Sequence, residues 1–275
     1  FGGIRVAVPP GPTDVSPDRT GRSVGTSVAT ALMTGLAARV HEVLEAVYDD
    51  FITIPAPQRA VLLKALLVHG ARWTRARDLI VEILGPADPR QHVRQKDNVR
   101  RYLGYGAVEA SIVLDCAQDR ATLWAVGSLA REQAHQLFIP LPVAMSGQAR
   151  PHEVAMTVSW FAPPRVGAVR YRGVRLKLNE LENPQAVFGV KASSEQPDTN
   201  QAHSGTVIHR RWAGEKAPVI GADSSLEFIL QRQPDEIDEL VPYAAVATVV
   251  MPGIAEVYAQ VRNRIALKPK VLVPA

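Results

Sequence analysis

The chain has 275 residues, 47% of them hydrophobic, with a formal net charge of +4 from 31 Lys and Arg against 27 Asp and Glu. That length supports one sizeable core or two smaller ones, and 19 Gly with 21 Pro exclude a fibrous or disordered composition. The single cysteine, Cys116, excludes an intrachain disulfide, and no run of about 18 apolar residues supplies a membrane span.

The absence of a signal pattern and the lone cysteine favour a cytoplasmic setting. The chain begins Phe1-Gly2-Gly3, without Met, and reads as an excerpt or a processed piece. Its densest basic stretch, Arg90 to Arg101, has no interleaved aromatic residue. It is expected to be a solvated loop or helix start rather than a nucleic-acid patch.

In chain order, Ile4 to Val8 predicts a strand running into the turn Pro9-Pro10-Gly11-Pro12, and a polar loop is expected to about Val24. A long helix follows over Ser27 to Tyr48. Its first half is rich in small residues (Ala29, Thr30, Ala31, Thr34, Gly35, Ala37, Ala38), which predicts close packing inside a domain. Its second half places Val40, Val43, Leu44 and Val47 on one face. Pro57 marks a second helix, running to about Ala71. Arg75 to Leu84 predicts a third helix, stopped by Gly85-Pro86. Residues 85–97 read as a mobile loop, and a short helix is expected over Val108 to Leu114.

Near residue 118 the apolar spacing changes from helical to alternating. Strands are expected at Arg120 to Val126, Gln136 to Val143, Glu153 to Phe161 and Val169 to Leu178. Four more are expected at Ala186 to Val190, Thr206 to Trp212, Leu226 to Gln231 and Tyr243 to Met251. About eight strands with Pro, Gly and Asn loops predict an antiparallel β-sandwich or jelly roll. Ala255 to Ile265 closes as a small helix.

The residues with chemical promise are Gly25, Thr26, Ser27 and Ala29. A serine at a helix N-terminus sits beside unpaired backbone N–H groups and the positive end of the helix dipole, both of which stabilise a developing oxyanion. Gly25 permits the tight turn into the helix. This segment resembles the G-T-S-x-[AS]-x-P serine motif of the subtilase (S8) family, with Ala31 at the usual proline. Three other segments resemble the same family in order: Val6 to Gly11 (VAVPPG), Leu62 to Ala71 (LLKALLVHGA) and Gly104 to Ala110 (GYGAVEA), with Glu109 at a customary Asp or Asn. Segments from Asp119 to Gly214, among them DRATL, IPLPV, TVSWFAP and GTVIHRRWAG, are similar to those of large bacterial subtilases with a C-terminal β-domain.

The resemblance implies an α/β subtilisin-like segment over residues 1–117, the C-terminal part of a catalytic domain, and an accessory β-domain over 118–275. It implies a serine endopeptidase acting on peptide or protein, with Ser27 as nucleophile and the Ser27 backbone N–H in the oxyanion hole. The family orders its triad Asp, His, Ser. No His precedes Ser27, so the partners Asp and His are expected outside this chain, in the missing N-terminal part of the catalytic domain. Such proteins are often encoded beside an AAA-type ATPase, an implied partner. No cofactor, nucleic acid or membrane partner is expected. Many subtilases bind structural calcium, but Glu180, Glu182, Asp198 and Asp235 lack ligand spacing and are expected in solvated loops.

Several residues admit other readings. Gly-Thr-Ser before a helix can be a simple cap. Gly25-x-Ser27-x-Ala29 approaches a nucleophile elbow, but Asp18 to Ser23 is too polar for the buried strand an elbow requires. Asp14 and Asp18 precede the serine without a recognisable motif. His41 lies about 14 residues along the helix, roughly 21 Å from Ser27 and too far to be its base. His69 reads as structural, and His92, His135, His152, His203 and His209 as loop or β residues. Trp160 and Tyr171 could stack on a ligand, although aromatics at strand spacing usually enter a core. Cys116 reads as a small buried apolar residue. The other function in view is a degenerate protease whose β-domain binds protein or polysaccharide.

Overall fold

The computed structural model describes residues 3–13, 16–85, 92–114, 117–167, 169, 171–180, 183–192, 205–221, 224–261 and 267–271, with backbone alone for 92–97 and 267–271. Asp14, Cys116, Glu182, Asp198 and His203 lie outside the described residues. The chain divides into two compact units, Phe1–Asp49 and Asp50–Ala275. The division falls well before the change of periodicity near residue 118.

The first unit is a ribbon and a helix. β1 (Ile4–Ala7) pairs antiparallel with β2 (Thr20–Ser23), Ile4 opposite Ser23 and Ala7 opposite Thr20. The polar segment TGRS was expected to be loop. It pairs through its backbone, which asks nothing of its side chains. α1 (Thr26–Val47) buries only Val40 and Leu44, one turn apart on one face. The small residues Ala29, Thr30, Ala31, Thr34, Gly35 and Ala38 are exposed, against the expectation of close packing. Thr30 and Thr34 instead donate their hydroxyls to the carbonyls of Thr26 and Thr30 at 2.8 and 2.9 Å.

The second unit is sheet-rich, with its sheets antiparallel. After a 3-10 turn at Phe51–Thr53, α2 (Ala56–His69) buries Val61, Leu62, Ala65, Leu66 and His69. β3 (Ala71–Arg72) pairs with β4 (Ala107–Val108). Gly106, at φ +104, passes so close to Arg72 that a Cβ would stand 2.1 Å from the Arg72 carbonyl oxygen. Between these strands come α3 (Thr74–Leu84) and α4 (His92–Leu103), and α5 (Ala110–Leu114) follows. Of residues 85–97, expected as loop, 92–97 belong to the backbone of α4 and 86–91 lie outside the described residues.

Two four-stranded antiparallel sheets follow. One runs β5 (Arg120–Leu129), β11 (Val241–Val250), β7 (His152–Trp160), β9 (Val207–Gly214). The other runs β12 (Leu267–Val271), β6 (Gln133–Pro140), β10 (Ser225–Arg232), β8 (Leu176–Glu180). Their apolar faces share one core, in which Val154, Met156, Val158 and Trp160 meet Leu176, Leu226, Phe228 and Leu230. The period of two sends the intervening residues Thr157 and Ser159 of β7 to the other face, where α2 packs on β7 and β11.

Two expectations fail here. Residues 186–190 are not a strand: α6 (Pro184–Phe188) starts at Asn183, whose side chain accepts from the Gln185 N–H at 3.1 Å, with Pro184 in the first turn. Only the end of the 169–178 segment becomes strand, as β8. α7 (Val257–Val261) occupies the middle of the closing helix expected over Ala255 to Ile265, of which 262–265 lie outside the described residues.

Candidate functional site

Ser27 stands in the first turn of α1. Gly25 is the cap residue at φ +125, a conformation open to glycine and strained for other residues. A Cβ at Gly25 would meet nothing within 4 Å, so the demand for glycine there is conformational, not steric. The Gly25 carbonyl accepts from the Ala29 N–H at 3.2 Å, closing the first turn. The N–H groups of Thr26, Ser27 and Val28 precede that bond and have no acceptor within the helix. Thr26, Ser27 and Ala29 are exposed, and no described side chain hydrogen-bonds the Ser27 hydroxyl. The segment before it, β2, is one strand of a two-stranded ribbon and not the buried strand of a nucleophile elbow.

The histidines take other posts. His41 lies on α1 itself, its Nδ1 3.6 Å from Glu45. Asp18 sits in the ribbon loop, its backbone N–H 3.4 Å from the Ser16 hydroxyl. His135 bonds the Tyr243 hydroxyl at 2.6 Å; burial lowers the pKa of this imidazole and raises that of the phenol. His152 donates from Nδ1 to the Arg150 carbonyl at 2.9 Å, and its buried Nε2 has no partner among the described residues. His92 lies in the first turn of α4.

His69 and His209 form part of a buried chain between α2 and its sheet. His69 Nδ1 is 2.8 Å from Thr157 Oγ1, and His69 Nε2 is 2.7 Å from Thr248 Oγ1. Thr157 reaches His209 Nδ1 at 2.6 Å, and Thr248 reaches Thr122 at 2.8 Å. Burial, reinforced by the Arg72 charge, pushes His69 down to about 3. Burial, then His69, Arg72, Arg211 and Arg210, holds His209 well below its ordinary value. Both imidazoles are neutral at pH 7 and structural.

Lys64 was not singled out in the sequence. Its ammonium donates to the Trp160 and Thr206 carbonyls at 2.9 and 3.2 Å and to the Thr206 hydroxyl at 2.8 Å, over the Phe161 ring. Burial lowers it to about 8. With all three protons engaged it straps α2 to β7 and the entry of β9. A lysine one turn before the apolar end of an otherwise buried helix was the available signal.

Of the residues considered for calcium, Glu180 and Asp235 are described. Burial raises the Glu180 carboxyl against the opposing Arg210 charge. Asp235 is held by Arg232 instead of a cation, at 2.7 and 2.8 Å. Among the described residues no group of three or more His, Cys, Asp or Glu is placed to hold a metal, and no helix is long and apolar enough to cross a membrane. Trp160 is fully buried in the core, whereas Tyr171 is 65% exposed.

No protein family and no curated protein matches this sequence. Among solved structures, a chain described as "Cyanophage Pam1 capsid asymmetric unit" is similar over 48% of this chain and 82% of its own, with 10% identity and a TM-score of 0.25. A likeness that weak carries nothing about fold or function.

Proposed function

We propose that the chain is the serine-bearing C-terminal part of a subtilisin-type serine endopeptidase, continued by an accessory β-sandwich domain. One observation supports this reading above the others: an exposed Ser27 hydroxyl in the first turn of a 22-residue helix, entered through a glycine at positive φ. In the reaction, Ser27 Oγ attacks the scissile carbonyl carbon and its proton passes to a histidine base. The Ser27 backbone N–H shares in stabilising the oxyanion, and the base returns the proton to the leaving amine. Water then releases the acyl group and restores the serine. The base and the aspartate that orients it are assigned to sequence outside this chain, since His41 is the one histidine of the first unit and lies too far along α1.

Fluorophosphonate labelling of the full gene product, read by intact mass, tests this. A single adduct that vanishes in Ser27→Ala is the expected result. Absence of an adduct on folded, inhibitor-free protein overturns the assignment. The second reading, a binding module without catalysis, draws support from a cleft in the β-rich unit.

A further inference from the structure

In the second unit two loops border an open cleft of about 1000 Å³, one running from β7 to β8, of which 161–167, 169 and 171–175 are described, the other 233–240 between β10 and β11. The first is a hairpin. The Arg165 N–H donates to the Tyr171 carbonyl at 2.6 Å, the Gly173 N–H donates to the Pro163 carbonyl at 2.9 Å, and Pro164 bridges Arg172.

The second loop is built on Arg232, which is 1% exposed. Its guanidinium grips both Asp235 oxygens. It also donates to the Leu129 and Glu239 carbonyls at 3.0 and 2.8 Å, and to the Ile237 carbonyl. Burial alone would raise the Asp235 carboxyl, but the bonds from Arg232 and from the Ile237 N–H outweigh it and hold it low. The Gln233 N–H donates to the Arg175 carbonyl at 2.9 Å, tying the loops together. Ile237 closes over Gly173, where a Cβ would stand 2.0 Å from its Cδ1. The second wall is therefore fixed by the buried bonds of Arg232, and the first by its hairpin bonds and the Gln233 tie.

The exposed groups on these walls are unbalanced. Asp235 is engaged by Arg232, and Glu236 by Arg165 at 2.6 Å. Arg172 and Arg175 remain exposed with no ion pair among the described residues, Arg172 lying 5.7 Å over the Tyr171 ring. Beside them Val166 is 95% and Val169 103% exposed. Arginine and tyrosine are enriched in protein-binding hot spots, and the bare valines beside them are apolar surface that a partner would bury.

We infer that this cleft binds an acidic polypeptide segment, its carboxylates on Arg172 and Arg175 and its apolar side chains against Val166, Val169 and Tyr171. Charge selects the partner. Among the described residues of the cleft two cations have no ion pair, yet two carboxylates also line it, which suits a few spaced acids and opposes the dense phosphates of a nucleic acid. The site is independent of Ser27 and stands whether or not the protease reading does.

The test is fluorescence anisotropy of the full chain with a labelled synthetic peptide in which Glu and Asp alternate with Leu and Phe. A Lys counterpart and a single-stranded RNA serve as comparisons. Saturable binding of the acidic peptide, weakened by salt, is expected. The double variant R172E/R175E should weaken it about tenfold or more, and V166S/V169S by about fivefold. Both variants should keep the parent's thermal midpoint, since all four side chains are exposed. Ser27→Ala should bind as the parent does. The inference is overturned if the acidic peptide fails to bind, if the Lys peptide or RNA binds as tightly, or if both variants bind unchanged.

Discussion

α1 and α2 are both apolar helices, and they are used in opposite ways. α1 is the longer, at 22 residues, yet buries two side chains; α2, with 14, buries five. α2 sends Lys64 and His69 onto a sheet that carries hydroxyls and His209, while the helix that bears Ser27 exposes its small residues. Stability is therefore concentrated where no reaction is proposed, and the candidate nucleophile sits where substitutions are energetically quiet.

The largest test of that contrast is Leu62→Ala against Leu32→Ala. Leu62 is fully buried and Leu32 is 50% exposed. The first should lose about 2–5 kcal/mol and the second less than about 0.5 kcal/mol, read by urea unfolding. Helical circular dichroism reports both units, and tryptophan fluorescence follows the second alone, because all four tryptophans, Trp73, Trp124, Trp160 and Trp212, lie there. Comparable losses in the two variants would break the contrast.

Acid comes next. The folded His69 has its pKa lowered to about 3 by burial and then by Arg72, and His209 is lowered as well. The unfolded chain, with histidine near 6.5, takes up protons first as pH falls. The stability contributed by the neutral pair is thus complete above about pH 6.5 and declines towards pH 3, by a few kcal/mol in all. The urea midpoint should drop between pH 6.5 and 4, and drop less in His69→Gln. Equal pH dependence in the two proteins would refute the assignment.

Smaller still is Thr157→Val. It leaves two imidazole nitrogens without their hydroxyl partner and should lose about 1–3 kcal/mol by the same urea measurement. Smallest is Ser27→Ala, which should change the unfolding free energy by less than about 0.5 kcal/mol while abolishing any fluorophosphonate adduct. A strongly destabilised Ser27→Ala would place the hydroxyl in a structural role.

Legibility in the sequence followed the strength of the local pattern. Strict alternation in Val154 to Trp160 and Leu226 to Leu230 located β7 and β10 within about a residue, because each has one face in the core. β2 was missed because TGRS buries nothing. α6 was misread because its apolar residues are too few to show a period, and the decisive signal was the cap, Asn183-Pro184. The serine helix was visible as a capped start, but its exposure was not: small residues fit a packed or an open helix equally well. Nothing local announced that Thr157 and Thr248, from different strands, would meet His69, or that Thr122 from a third would meet Thr248. Arg232 was hidden for the same reason, since its acceptors Leu129 and Glu239 come from separate elements.

The chain Thr122–Thr248–His69–Thr157–His209 has a further consequence, in the bookkeeping of protons. Each hydroxyl carries one proton, and each neutral ring carries one. With Thr157 and Thr248 each donating one of these bonds and accepting one, so that neither buried proton is left over, all four bonds are kept in only two ways. Either His69 bears its proton on Nδ1 and His209 on Nε2, with every donor pointing from Thr122 towards His209, or both tautomers and every donor reverse. Two rings whose centroids lie 5.8 Å apart are thereby obliged to hold opposite tautomers. Neither can change alone without stranding a buried hydroxyl. Nitrogen NMR of the imidazoles would see this as one shared two-state equilibrium, in which the shifts of His69 and His209 exchange at a single rate.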